Sequence, residues 1–134
     1  MQDHDLWNFF VGDFATFAIK NPNHQFNDEQ KNALIALWYD GSVQNGGHMT
    51  FLDFHSKIYS NDEVAHALRE VGGEKFASNF LSAVSHMYYD EEVESFLTFE
   101  EEDPVEDDIY YNFSPTLCDL LEQYIHINKE KIFI

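Results

Sequence analysis

Apolar residues recur at spacings of three and four along most of this chain, and this spacing limits its fold more than any other feature. Leu6, Phe10, Phe14 and Phe17 would share one face of an α-helix of about 15 residues, because an α-helix completes a turn every 3.6 residues. Alternation with a period of two, which is typical of a half-buried strand, is scarce. The pattern therefore predicts an all-α, single compact domain of about six helices.

Local signals place the boundaries of the other five predicted helices. Glycine pairs are predicted to end two of them, since glycine readily adopts the left-handed conformation that closes a helix. The predicted N-terminal caps are Asn27, with Gln30 as its capping-box partner, then Asn61 or Asp62, and finally Ser114. The five helices are expected at roughly 27–45, 49–58, 63–71, 74–88 and 114–128.

The net charge limits the classes of partner. The chain has 7 Lys and Arg against 25 Asp and Glu, which gives a formal net charge of −18. Its 16% of aromatic residues distinguishes it from disordered acidic chains, and residues 1–134 suit one domain. Because nucleic-acid phosphates and anionic membranes repel such a chain, neither is expected to bind it directly. A basic or DNA-binding protein is the expected partner. Solubility alone is the alternative explanation of the charge.

Acidic residues are densest just before the C-terminal helix. The sequence has no Lys or Arg from Phe76 to Asn128, so these carboxylates have no basic neighbours along the chain. We predict an acidic ridge there that binds a partner through Asp90, Glu91, Glu92, Glu94, Glu100, Glu101, Glu102, Asp103, Glu106, Asp107 and Asp108. If residues 90–103 were helical, their acids would follow one another every ~2.6 Å. Duplex DNA carries one charge per ~1.7 Å, which is of the same order.

Two glycine-containing segments and the C-terminal helix resemble those of a known family. They are Val43-Gln44-Asn45-Gly46-Gly47, the run from Leu68 to Ala77, and the stretch around Leu121 and the Tyr124-Ile125 pair. The chain from Leu37 to Val84 resembles a bacterial helical family that is named for a DNA-mimic protein (DMP-type). This sequence departs from the family pattern at His48, where the family usually has an aromatic residue, and at Thr50, where it usually has Gln.

The resemblance implies an all-helical fold and, for the name-giving member, a surface that imitates DNA and captures a DNA-binding regulator. The resulting hypothesis is an acidic, non-enzymatic protein-binding domain, in its most specific form a DNA mimic that sequesters a DNA-binding protein. The alternative is an immunity or adaptor protein against a basic partner. The many aromatic residues permit a homodimer without requiring one.

A third hypothesis is a metal-dependent enzyme that uses the segment from His48 to His55, which also contains Asp53. These residues match no zinc-binding spacing, and the acidic runs lack the calcium-loop pattern. No nucleophile motif, phosphate-binding glycine loop or dinucleotide fingerprint is present, so neither an enzyme nor a cofactor is expected.

The remaining features favour the cytoplasm. A single cysteine, Cys118, gives no internal disulfide and is expected to be a buried, unreactive thiol. The N-terminus does not have the pattern of a signal peptide. The longest apolar-rich stretch, Leu6 to Ile19, is too short to span a bilayer.

Overall fold

Helices contain most of the residues that the computed structural model describes, which are residues 3–99 and 104–134. The elements in chain order are α1 (Asp3–Phe9), a π-helical segment (Phe10–Phe14), α2 (Ala15–Lys20), α3 (Asp28–His55), α4 (Asn61–Gly72), α5 (Glu74–Ser85), β1 (Met87–Asp90), β2 (Ser95–Thr98), α6 (Val105–Tyr111), α7 (Leu117–Ile127) and α8 (Lys129–Ile132). The predicted all-α fold is confirmed, with the addition of a small antiparallel hairpin formed by β1 and β2.

The N-terminal helical run is longer than predicted and contains a π-helical segment. Phe10 is fully buried and its ring stacks on that of Phe14, with 5.4 Å between the ring centroids. Phe17, which was predicted to lie on the same buried face, is 44% exposed. The wider π-helical turn rotates the residues that follow it relative to an uninterrupted α-helix, which accounts for this difference.

The central helix α3 contacts α4, α5, α6, α7, α8 and β2. The predicted capping box at its start is confirmed: the Gln30 N–H donates to Asn27 Oδ1, and the Asn27 N–H donates to Gln30 Oε1. The predicted break is also present, because Gly46 and Gly47 have non-helical backbone angles. The helix resumes at once beyond this kink, so the second and third predicted helices form one element.

Two predicted caps were displaced by one or two residues. The N-cap of α4 is Ser60 rather than Asn61 or Asp62, and the N-cap of α7 is Thr116 rather than Ser114. Each hydroxyl accepts the N–H of an acidic residue three positions later, and that acid reaches back to the N–H of the cap. A reciprocal capping box satisfies two backbone donors, which explains why these positions start the helices.

The fifth predicted helix was too long, because α5 ends at Ser85 and the chain then forms the hairpin. The paired strands are rich in aromatic residues, and Tyr89 lies opposite Phe96. In a helix, the acids that follow would repel one another at spacings of three and four. Instead, Asp90 Oδ1 accepts the N–H groups of Glu92 and Val93 at 2.8 and 3.2 Å and shapes the turn. The helical charge spacing considered for this stretch therefore does not apply to residues 90–99.

None of the helices within residues 3–99 and 104–134 is long and apolar enough to cross a bilayer.

Candidate functional site

The hairpin is attached to α3 by the side chain of Asp53. Its Oδ1 atom accepts the Phe96 N–H at 2.8 Å, and its Oδ2 atom accepts the Ser95 hydroxyl at 2.9 Å. Ser95 pairs with Asp90 in the strand register, so the anchor lies at the turn end of the hairpin. Asp53 thus holds the turn, residues 91–94, against the body of the domain.

Three of the predicted partner-binding residues form an exposed acidic turn, which we define as Glu91, Glu92 and Glu94. Asp90 is half-buried and shapes the turn, whereas Asp108 is exposed on α6. Within the described residues, Lys31 pairs with Glu63, Arg69 with Glu74, and Lys131 with Glu29. The carboxylates of the acidic turn are therefore not neutralised by these cations.

Two predicted ridge residues are instead buried, so the structure excludes them from an exposed partner surface. Glu106 is 3% exposed and Asp107 is 8% exposed. Glu106 Oε1 accepts from the hydroxyl of Ser82 at 3.2 Å and lies 2.9 Å from His86 Nε2. These contacts satisfy Glu106 Oε1, whereas Glu106 Oε2 is buried without a hydrogen-bond partner among the described residues.

The four remaining ridge residues, Glu100, Glu101, Glu102 and Asp103, lie outside the described residues. Elsewhere, exposed acids are spread over several elements, among them Asp13, Glu70 and Glu122. Negative charge is therefore distributed widely. The acidic turn differs from the rest in having three carboxylates within four residues, and in lying in a stretch without Lys or Arg, from Phe76 to Asn128.

Sequence reasoning missed a buried relay, which we define as Tyr39, His48 and Asp107. Tyr39 Oη lies 2.5 Å from His48 Nε2, and His48 Nδ1 lies 2.5 Å from Asp107 Oδ1. The same carboxylate oxygen accepts the backbone N–H of His48 at 3.0 Å. An ionised carboxylate only accepts, so the network is satisfied when Nδ1 carries a hydrogen and Nε2 accepts from the tyrosine.

The buried relay joins α6 to α3 inside the domain. Tyr39 and His48 have no exposed surface. Burial, and then the charge of Asp107, raise the pKa of Tyr39 well above its usual value and keep its hydroxyl protonated. Beside it, the Tyr110 hydroxyl donates to Asp40 Oδ1 at 2.5 Å, and burial likewise raises the pKa of Tyr110.

In the segment from His48 to His55, which was considered as a metal centre, two side chains are engaged in other contacts. Both ring nitrogens of His48 are engaged within the relay, and both carboxylate oxygens of Asp53 accept hydrogen bonds from the hairpin. No group of three or more His, Cys, Asp or Glu side chains in the described ranges could hold a metal ion.

Cys118 is half-buried, and burial raises the pKa of its thiol.

One sequence signal could have revealed the inward face of α6. Asp107 and Tyr110 lie three residues apart, which is the spacing of one helical face, and Phe113 follows at the same interval just beyond the end of α6. All three are buried or half-buried. The density of acids concealed this pattern, since a run of acids is usually solvated.

The fold and the exposed turn define a small, acidic and mostly helical domain that carries an anchored hairpin. The chain belongs to the DMP19-like protein family, whose model matches residues 24–128. This range includes all of α3 to α7, so the resemblance predicted from the sequence is confirmed. No curated protein and no solved structure matched the chain.

Replacing Asp53 with alanine is expected to loosen the turn end of the hairpin without unfolding the domain. The substitution removes two hydrogen bonds to a charged acceptor at a partly exposed site, each of which contributes roughly 1 kcal/mol. The Phe96 amide should therefore exchange its hydrogen about fivefold faster or more. Native-state hydrogen exchange of Phe96, compared with that in Asp13→Ala, measures this change. Equal exchange in both variants would show that Asp53 does not anchor the hairpin.

Proposed function

We propose that the protein is a non-enzymatic protein-binding domain whose hairpin binds a basic protein. The observation that carries this proposal is the exposed acidic turn, which lies on a hairpin held in place by Asp53. Three carboxylates within four residues produce a concentrated negative potential, which attracts basic surfaces and accelerates association with them.

The apolar surface of the same hairpin favours a protein partner over a role in solubility alone. Val93, in the turn, is 59% exposed, and Phe99, just beyond β2, is 70% exposed. The Phe99 ring contacts that of Tyr88, which is itself partly exposed, with 4.9 Å between the centroids. Protein interfaces are enriched in aromatic residues and surround them with polar ones. A surface that served only solubility would gain nothing from these exposed rings.

In its most specific form the proposal is DNA mimicry, in which the partner is a DNA-binding protein. Membership of the DMP19-like family and the dense charge of the acidic turn support this form. The immunity or adaptor alternative uses the same surface and differs only in the partner. A DNA groove lies between two rows of phosphate charge. A homodimer would supply the second row, because it would bring a second acidic turn into the assembly.

Charge reversal in the acidic turn is expected to abolish capture of the partner. The tagged protein would be used for pull-down from the native cell extract at low and high salt, together with the triple variant Glu91→Lys, Glu92→Lys, Glu94→Lys. We expect the wild type to enrich basic proteins at low salt. High salt should release them, because exposed charges are screened over about 10 Å at 0.1 M and over less at higher salt.

The matched control is Asp13→Lys, Glu70→Lys, Glu122→Lys, which changes the net charge equally but at exposed sites on three other elements. This control should retain capture. Equal loss in both triple variants would contradict a localised site, and capture that resists both salt and reversal would contradict electrostatic recognition. Release of the captured protein by a short DNA duplex would favour DNA mimicry over an adaptor role.

A further inference from the structure

A ring-lined cleft is formed without any residue of the hairpin. It has a volume of about 710 Å³ and is formed by the end of α2, the loop that follows, α3 and the turn before α4. This volume falls within the range of small-molecule sites, about 300–1,000 Å³. Its lining residues are Ala18, Ile19, Pro22, His24, Gln25, Phe26, Lys31, Leu34, Trp38, His55, Ile58 and Tyr59.

Aromatic rings provide much of this lining. The Trp38 ring lies nearly parallel to that of His55, with 6.1 Å between centroids and 6° between planes, and within 24° of parallel to that of Tyr59. Burial lowers the pKa of His55 and raises the pKa of Tyr59 to about 12, so both rings are uncharged at neutral pH. Flat, uncharged walls of this kind favour a flat apolar ligand.

The charge of the lining is opposite to that of the rest of the protein. Among its residues, Lys31 is the one lysine or arginine, and no Asp or Glu is present, although the chain contains 25 of them. Lys31 donates to Glu63, which lies on α4 outside the lining. The Lys31 side chain is still 43% exposed, so its ammonium can approach a second acceptor.

We propose that this cleft binds a small, planar aromatic molecule that carries an acidic group, with its rings near Trp38 and its acidic group at Lys31. The aromatic lining accounts for affinity and the lysine for the preference for an anion. An acidic ligand would have to overcome long-range repulsion from the net charge of −18, which salt screens. The proposal shares no residue with the hairpin surface and does not depend on the proposed function.

Two fluorescent probes of the same ring system test the proposal. The anionic probe is 1-anilinonaphthalene-8-sulfonate, and the neutral probe is N-phenyl-1-naphthylamine, which lacks the sulfonate. At 0.15 M salt, both should bind one saturable site, and the anionic probe should bind about fivefold tighter, as expected for one exposed ion pair. Absence of saturable binding, or tighter binding of the neutral probe, would overturn the proposal.

Two substitutions at the ion pair should change anion binding in opposite directions. Lys31→Gln should weaken binding of the anionic probe about fivefold and leave the neutral probe unchanged. Glu63→Gln should tighten binding of the anionic probe, because it frees the lysine, and glutamine preserves the capping box that starts α4. Lys129→Gln, at an exposed lysine on α8, is the control. If Lys31→Gln affects the anionic probe no more than Lys129→Gln does, the acidic group does not lie at Lys31.

A further pair of variants tests whether the probe binds in the cleft. Ile58 is 61% exposed at the cleft, so Ile58→Glu should fold normally and should repel the anionic probe from the lining. Ile134→Glu introduces the same charge at a residue that is 89% exposed and outside the lining. Binding should weaken in the first variant and stay unchanged in the second. Equal effects in the two variants would show that the probe binds elsewhere.

Discussion

Replacing Gly47 with alanine is expected to destabilise the protein by about 3 kcal/mol, the combined cost of an unfavourable backbone conformation and of overpacking. Gly47 has a φ of +81°, which side-chain-bearing residues rarely adopt. A Cβ atom there would lie 2.3 Å from Asp107 Oδ2 and 2.9 Å from Asp107 Cγ. The carboxylate cannot move aside freely, because it is hydrogen-bonded to the backbone and ring of His48.

Gly41→Ala provides a matched control in the same helix. A Cβ atom at Gly41 would meet no atom within 4 Å, and alanine stabilises a helix interior relative to glycine by about 0.5–1 kcal/mol. Urea unfolding of both variants should therefore give changes of opposite sign in the free energy of unfolding. A loss below about 1 kcal/mol in Gly47→Ala would show that the kink tolerates a side chain.

The sequence predicted those parts of the fold that depend on residues close together along the chain. Asn27 and Gln30 form a capping box through contacts between residues three apart, so their pattern can be read directly. Gly46-Gly47 breaks α3 because of a backbone preference that is local to glycine. The family resemblance rested on two glycine segments and the C-terminal helix, and both the family and its mostly helical fold are confirmed.

The parts that were missed depend on partners far apart in sequence. The hairpin is held by Asp53, more than 40 residues before Phe96, and no local pattern reveals that contact. Asp107 and His48 are 59 residues apart, and each alone resembles an exposed polar residue. Because these two side chains contact each other, Asp107 lies in the core and not on the partner-binding surface that was predicted for it. Part of the candidate site was predicted, since Glu91, Glu92 and Glu94 are exposed as expected.

The second large effect is expected from Asp107→Ala, which should lower the free energy of unfolding by about 3 kcal/mol. The substitution leaves the backbone N–H and the Nδ1–H of His48 without an acceptor, and His48 is fully buried. Asp108→Ala is the matched control, because Asp108 occupies the same first turn of α6 but is exposed. Both variants lose an acidic residue from the first turn of α6, and with it the same favourable interaction with the helix dipole. The difference between their free energies of unfolding therefore measures the buried contacts of Asp107.

A double-mutant cycle separates the coupling within the buried relay from simple loss of packing. His48→Phe keeps an aromatic ring at this position, but it removes the N–H that donates to Asp107 and the nitrogen that accepts from the Tyr39 hydroxyl. The double variant with Asp107→Ala should lose about 1–3 kcal/mol less free energy of unfolding than the two single variants lose together. The reason is that each single variant already removes the contact between the two side chains. Urea unfolding of the four proteins gives this coupling energy. Additive losses would mean that His48 and Asp107 stabilise the fold independently, and α6 would then be held mainly by its apolar face around Tyr110.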